Sequence, residues 1–136
     1  SVVQDRIDPD VLWVGTTGGL VRYNKAKGDF LQFIQELPNA NVTCIYQQSD
    51  GVLWVGTSDG LSRFDPRANA WATFNTANSG LPGNYVYALL QAADGKIWVG
   101  MGGGLVRFDP VANSWTTFHT ANSSLPDNRV YALLFR

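Results

Sequence analysis

The chain has 136 residues, with ten lysines and arginines against eleven aspartates and glutamates, for a net charge of −1. That balance leaves no basic field for a phosphate backbone, which excludes nucleic acid as an expected partner. The apolar runs are a few residues long, far below the roughly 20 needed to span a bilayer, so no membrane insertion is expected.

Ser1–Ile7 precedes Val11-Leu12-Trp13 and reads as a first strand ahead of a second. The phrase Trp-Val-Gly at Trp13 recurs at Trp54 and Trp98 and opens three copies of one unit. The second and third copies are identical at 21 of 31 positions, whereas the first is more divergent and three residues shorter before its next tryptophan. Between the first two copies, Val42-Thr43-Cys44-Ile45-Tyr46 reads as a strand. A lone cysteine cannot make an internal disulfide, and Cys44 in this run is expected as a small core residue. In the third copy the run 85–91 predicts a first strand, ended by the turn signal Ala93-Asp94-Gly95. A second strand follows at 96–101, a reversal at glycines 102 to 104, and a third strand at 105–109 that Pro110 terminates. Asp-Pro-Val-Ala-Asn-Ser is a turn by composition, and the fourth strand is predicted at 115–120.

The apolar pattern predicts sheets covered on both faces. Leu53-Trp54-Val55 and Ile97-Trp98-Val99 are consecutive apolar residues, and Trp71 and Phe74, like Trp115 and Phe118 or Phe30 and Phe33, are three apart. Odd spacing on a strand puts the two rings on opposite faces. A period in the forties with four short strands per copy implies an all-β propeller, each blade covered by its neighbours. The glycines after each Trp-Val (Gly15, Gly56, Gly100) and before each third strand (Gly19, Gly60, Gly104) are expected to free the backbone at the reversal.

The expected organisation is a single propeller segment over 1–136, with blades at 1–34, 41–75 and 85–120 and an extra strand at 129–135. Three blades fall below the roughly four to eight of known rings, and both end blades would expose an apolar face. The expected partner is therefore a second copy, two chains giving six blades, or the remainder of a longer propeller. In the first case the extra strand would dock by exchange across the junction.

The pattern Asp-Gly-x-(Leu/Ile)-Trp-Val-Gly-x-x-x-Gly-Leu-x-Arg-Phe-Asp-Pro, followed by Trp-x-Thr-Phe and later Leu-Pro-x-Asn-x-Val, resembles the two-component regulator propeller repeat. The match is fullest over Asp50–Pro66 and Asp94–Pro110; in the first copy Pro9-Asp10 replaces Asp-Gly and Asn24-Lys25 replaces Asp-Pro. The resemblance implies an extracytoplasmic, sensor-like segment that binds a small polar ligand, such as a carbohydrate fragment, or a protein, without catalysis. A more distant similarity to streptogramin lyases implies a metal site with paired histidines. Only His119 is present here, with Asn75 and Ile34 at the equivalent positions, so it is expected as a surface histidine on an edge strand, and no metal, cofactor or enzymatic activity is expected.

The resemblance also implies that the loops after the fourth strands and the reversals between second and third strands share one mouth of the channel. Residues that vary there within the fixed frame are the candidate ligand-binding rim: Asn41, Tyr85 and Arg129, with Asn84, Asn128 and Asp59. Arg22, Arg63 and Arg107 recur once per copy and are expected to serve the blade, pairing with an acidic turn or stacking on an aromatic ring. A purely structural unit, whose near-identical blades serve only assembly, is the competing reading, and a lyase-type enzyme is a third.

Overall fold

A computed structural model describes residues 1–134, and every regular element among them is a β-strand. The first sheet contains β1 (Val2–Gln4), β2 (Val11–Thr16), β3 (Gly19–Asn24) and β4 (Asp29–Phe33). The second contains β5 (Val42–Gln47), β6 (Leu53–Thr57), β7 (Gly60–Asp65) and β8 (Ala70–Phe74). The third contains β9 (Val86–Gln91), β10 (Ile97–Met101), β11 (Gly104–Asp109) and β12 (Ser114–Phe118). Each sheet is an antiparallel meander whose strands neighbour one another in chain order. These are three propeller blades, and the first strands of successive blades lie beside one another: Thr43 on β5 donates its hydroxyl to the Val86 carbonyl on β9.

Two apolar cores sit between the blades. Trp13, Leu20 and Phe33 of the first blade meet Leu53, Val55, Phe64 and Trp71 of the second. Trp54, Leu61 and Phe74 on the second blade's other face meet Ile97, Val99, Phe108 and Trp115 of the third. Trp71 and Phe74 therefore serve different interfaces, as their spacing predicts. Each blade carries a stacked cross-strand pair on its leading face, Phe64–Trp71 at 4.1 Å and Phe108–Trp115 at 4.3 Å between ring centres. The preceding blade meets this pair with a tryptophan and a phenylalanine: Phe33 lies 5.5 Å from Phe64, and Phe74 lies 5.3 Å from Trp115. Full burial of side chains of this size stabilises by roughly 1.5–3 kcal/mol each, so the interfaces between blades carry the fold.

Several local expectations are corrected. The opening strand is three residues long rather than spanning 1–7, because the Asp5 carboxylate accepts from the amides of Ile7 and Asp8 and turns the chain out of the ladder. The fourth strand of the last blade stops at Phe118, since Asn122 Oδ1 accepts from the His119 amide and the next loop begins there. The extra strand expected at 129–135 forms no ladder over 129–134, and Phe135 lies outside the described residues. Its start nevertheless docks like a first strand: the Val130 amide donates to the Met101 carbonyl at 2.9 Å.

The two sets of glycines have different causes. Gly19, Gly60 and Gly104 have φ of +132°, +132° and +141°, the freedom expected of a tight reversal. Gly15, Gly56 and Gly100 do not. A Cβ there would lie 2.5 Å from Val42, 2.6 Å from Val86 and 2.7 Å from the Val130 carbonyl, so these glycines admit the first strand of the following blade.

Candidate functional site

The reversals and the loops after the fourth strands converge at one end of the blades. The Ser58 amide donates to the Asn41 carbonyl, the Gly60 amide donates to the Asn84 carbonyl, and Gly103 approaches Pro82. All six rim candidates lie on these loops or at the adjoining strand starts.

Most of them have their polar atoms committed to the loops. The Asn41 amide group donates to Ser58 Oγ. Asn84 Oδ1 accepts from the Thr76 amide at 3.1 Å, and Asn128 Oδ1 accepts from the Thr120 amide at 2.8 Å. These two asparagines close equivalent loops, each reaching back eight residues. Asp59 sits exposed at the tip of its reversal, its amide held by Thr57 Oγ1 at 3.1 Å. Arg129 forms a paired contact with Asp127 through Nε at 3.1 Å and a terminal nitrogen at 3.3 Å. That side-chain bond, with the Arg129 amide, holds the Asp127 carboxyl below its ordinary value and raises the guanidinium.

Tyr85 differs: the residue is 41% exposed, and its ring lies 4.6 Å from the ring of Tyr87, which meets Tyr131 edge-on at 4.8 Å. The result is a run of three tyrosines from the start of β9 to the segment 129–134 beside it, with Arg129 at its edge. Tyr87 and Tyr131 were not among the residues selected from the sequence. The alternation Tyr85-Val86-Tyr87 carried the signal, because residues two apart on a strand share a face.

A hollow of about 180 Å³ lies between the first two blades at the opposite end, its surface mostly apolar over Ile7, Trp13 and Pro66, with Asp5, Arg22 and Gln47 among its polar lining residues. Asp5 Oδ2 accepts from the Trp13 indole at 2.6 Å and from the Gln47 amide at 3.0 Å. Burial raises this carboxyl, but the bonds from Asp8, Trp13, Gln47 and Ile7 outweigh it and hold Asp5 below the ordinary carboxylate value. The carboxylate is thereby a structural acceptor.

The repeated arginines divide. Arg107 lies over Trp98 at 5.9 Å and over Phe118 at 5.7 Å, whereas Arg22 faces Asp8 at 3.9 Å. His119 Nδ1 accepts from the Ala121 amide at 3.2 Å, the service that Asn75 Oδ1 gives to Ala77 one blade earlier. It is therefore a loop-closing residue rather than one on an edge strand. Burial pushes the Cys44 thiol up to about 11, which keeps it protonated and unreactive at neutral pH.

Fold and loops together define a segment of a β-propeller. Residues 36–59 and 80–103 match the model of the two component regulator propeller, and these stretches are repeats of that family. The extracellular domain of BT4673 from B. thetaiotaomicron, described as a one component system, is 30% identical, with a TM-score of 0.72 over 82% of this chain and 15% of its own length. That of BT3049 from the same organism, described as a hybrid two component system, is 21% identical, with a TM-score of 0.74 over 95% of this chain and 16% of that domain. A streptogramin B lyase at 14% identity shares the fold, with a TM-score of 0.66 over 93% of this chain and 43% of the enzyme. The chain thus spans about one sixth of the length of the extracellular domains it resembles. No curated protein sequence matches it.

Proposed function

We propose that this chain is a noncatalytic binding segment of an extracytoplasmic sensor-type propeller, taking a small polar ligand of the carbohydrate class at the mouth formed by Tyr85, Tyr87, Tyr131 and Arg129. The observation that carries this reading is the exposed tyrosine run. Aromatic faces beside polar loop atoms suit a ligand with one apolar and one hydroxylated side, and most other large rings of the chain are used between blades. The extracytoplasmic setting is supported by the B. thetaiotaomicron neighbours, which are extracellular domains. The noncatalytic reading is supported by His119 Nδ1 and the Asp5 carboxylate, both engaged in structural hydrogen bonds.

A panel of neutral and acidic oligosaccharides titrated calorimetrically tests the reading. Tyr85→Ala should abolish binding of any ligand found while leaving the melting temperature unchanged; binding that survives this change places the site elsewhere. One observation favours the alternative of a purely structural unit: Asn84 and Asn128 use their side chains to close their own loops, and Asn41 spends its side-chain amide on Ser58 in the facing reversal. Failure of every oligosaccharide class to bind the folded chain would support it.

A further inference from the structure

The two outer faces of the chain are the two halves of an interface that the molecule builds twice internally. On the leading face of the first blade, Tyr23 and Phe30 are cross-strand partners stacked at 4.5 Å. They occupy the places of Phe64–Trp71 and Phe108–Trp115, yet Phe30 is 71% exposed. On the trailing face of the third blade, Trp98 and Phe118 stack at 6.0 Å, as Trp54 and Phe74 do at 5.9 Å. Leu125 beside them is half-buried, whereas its counterparts Leu37 and Leu81 are buried between blades. An apolar hollow lined by Trp98, Leu105, Phe118 and Leu125 lies open where a following blade would insert its aromatic pair.

We infer that the occupant of each outer face is the opposite face of a second copy, so that Tyr23–Phe30 of one chain enters the Trp98–Phe118 hollow of the other. Two such head-to-tail junctions close a ring of six blades. Three copies would give nine, beyond the roughly four to eight that rings contain, so the closed species is a dimer. This goes beyond the ligand-binding reading and does not depend on it.

Closure also decides between two strands. Val130 packs on Gly100 as Val86 packs on Gly56, so residues 129–134 already hold the place of a following blade's first strand. In the ring that blade is the partner's first, whose own strand there is the three-residue β1, with Val2 63% exposed. The longer segment replaces it. By equivalence with β9, Ala132 and Leu133 pair with Gly15 and Val14 of the partner subunit, as Ala88 and Leu89 pair with Gly100 and Val99. Leu134, 81% exposed in one chain, is covered there.

Light scattering on the eluted 136-residue chain and on two variants tests this. The unaltered chain should have twice the 14.9 kDa mass across a wide range of micromolar concentrations. Phe30→Glu and Phe118→Glu each spoil one half of both junctions, so each alone should be monomeric, with circular dichroism confirming its fold. An equimolar mixture retains one intact junction and should recover the dimer mass. A monomeric unaltered chain, a dimeric single variant, or a mixture that stays monomeric would each overturn the head-to-tail dimer. For the exchanged strand, a chain lacking residues 1–4 should remain dimeric and one lacking 129–136 should dissociate more readily. The reverse result would show that β1 keeps its place.

Discussion

The middle blade and the end blades are built from one repeat but live in different surroundings. In β6 every residue from Leu53 to Thr57 is buried, whereas in β2 burial alternates along Val11–Val14 and falls away towards Thr16. The sequence of the strand is the same Trp-Val-Gly-Thr in both. What differs is that the second blade has a neighbour on each face and the first has one. Full coverage also isolates polar atoms. The Trp13 indole donates to Asp5, but Gln48 stands at the Asp5 position in the second blade, and Trp54 Nε1 has no hydrogen-bond partner among the described residues. Ser62 Oγ, buried in the same blade, has none either, while its counterparts in the other copies are Val21 and Val106.

The sharpest way to break this comparison is to truncate the same tryptophan in two places. Trp54→Ala should cost about 3–5 kcal/mol, since it empties the core between the second and third blades. Trp98→Ala should cost about 1 kcal/mol in a monomer, because its ring rests on an open face. Urea unfolding of both variants in the Phe30→Glu background, which leaves that face open, decides this; equal losses there would mean that Trp98 is as well covered as Trp54 within one chain.

Asp5→Ala is next in size. It leaves the Trp13 indole without its acceptor and should cost about 1–3 kcal/mol at neutral pH. Because the folded-state value of Asp5 lies below the ordinary one, its stabilisation is fully present above about pH 4 and is lost as pH falls through the folded value. The parent and the variant should therefore converge in stability in acid. A gap of the same size at pH 7 and well below the carboxylate range would show that the ionised form is not what the indole binds.

The smallest expected effect has the opposite sign. Ser62→Val removes a buried, unpartnered hydroxyl and installs the side chain that the other two copies carry, so it should stabilise by about 1 kcal/mol. A rise in melting temperature checks it; a fall would mean that Ser62 has a partner in solution.

Much of the fold was legible because repetition supplies its own alignment. The both-face burial of the blades was readable from Trp71 and Phe74, whose three-residue spacing assigns them to opposite cores whatever the loops do. The candidate rim was legible only as a set of variable positions. Nothing local distinguishes Asn84, which closes a loop, from Tyr85, whose ring stays exposed, because the difference lies in whether a side chain reaches Thr76 eight residues earlier. Tyr131 was passed over for a related reason: its contact with Tyr87 joins strands of successive units, and such adjacency exists only once they stand side by side.

The glycines mark where sequence stops and tertiary structure takes over. The sequence by itself determined four-stranded units, the aromatic residues for both sides of every interface, and φ > 0 reversals at Gly19, Gly60 and Gly104, since turn geometry and strand periodicity are properties of a few adjacent residues. Only the tertiary structure decided why Gly15, Gly56 and Gly100 have no side chain, which tryptophan is buried and which stays open, and which strand of the repeat remains unpaired at the end. Each of those depends on what the next blade presses against the first, and that neighbour lies some forty residues away along the chain or is supplied by another set of blades.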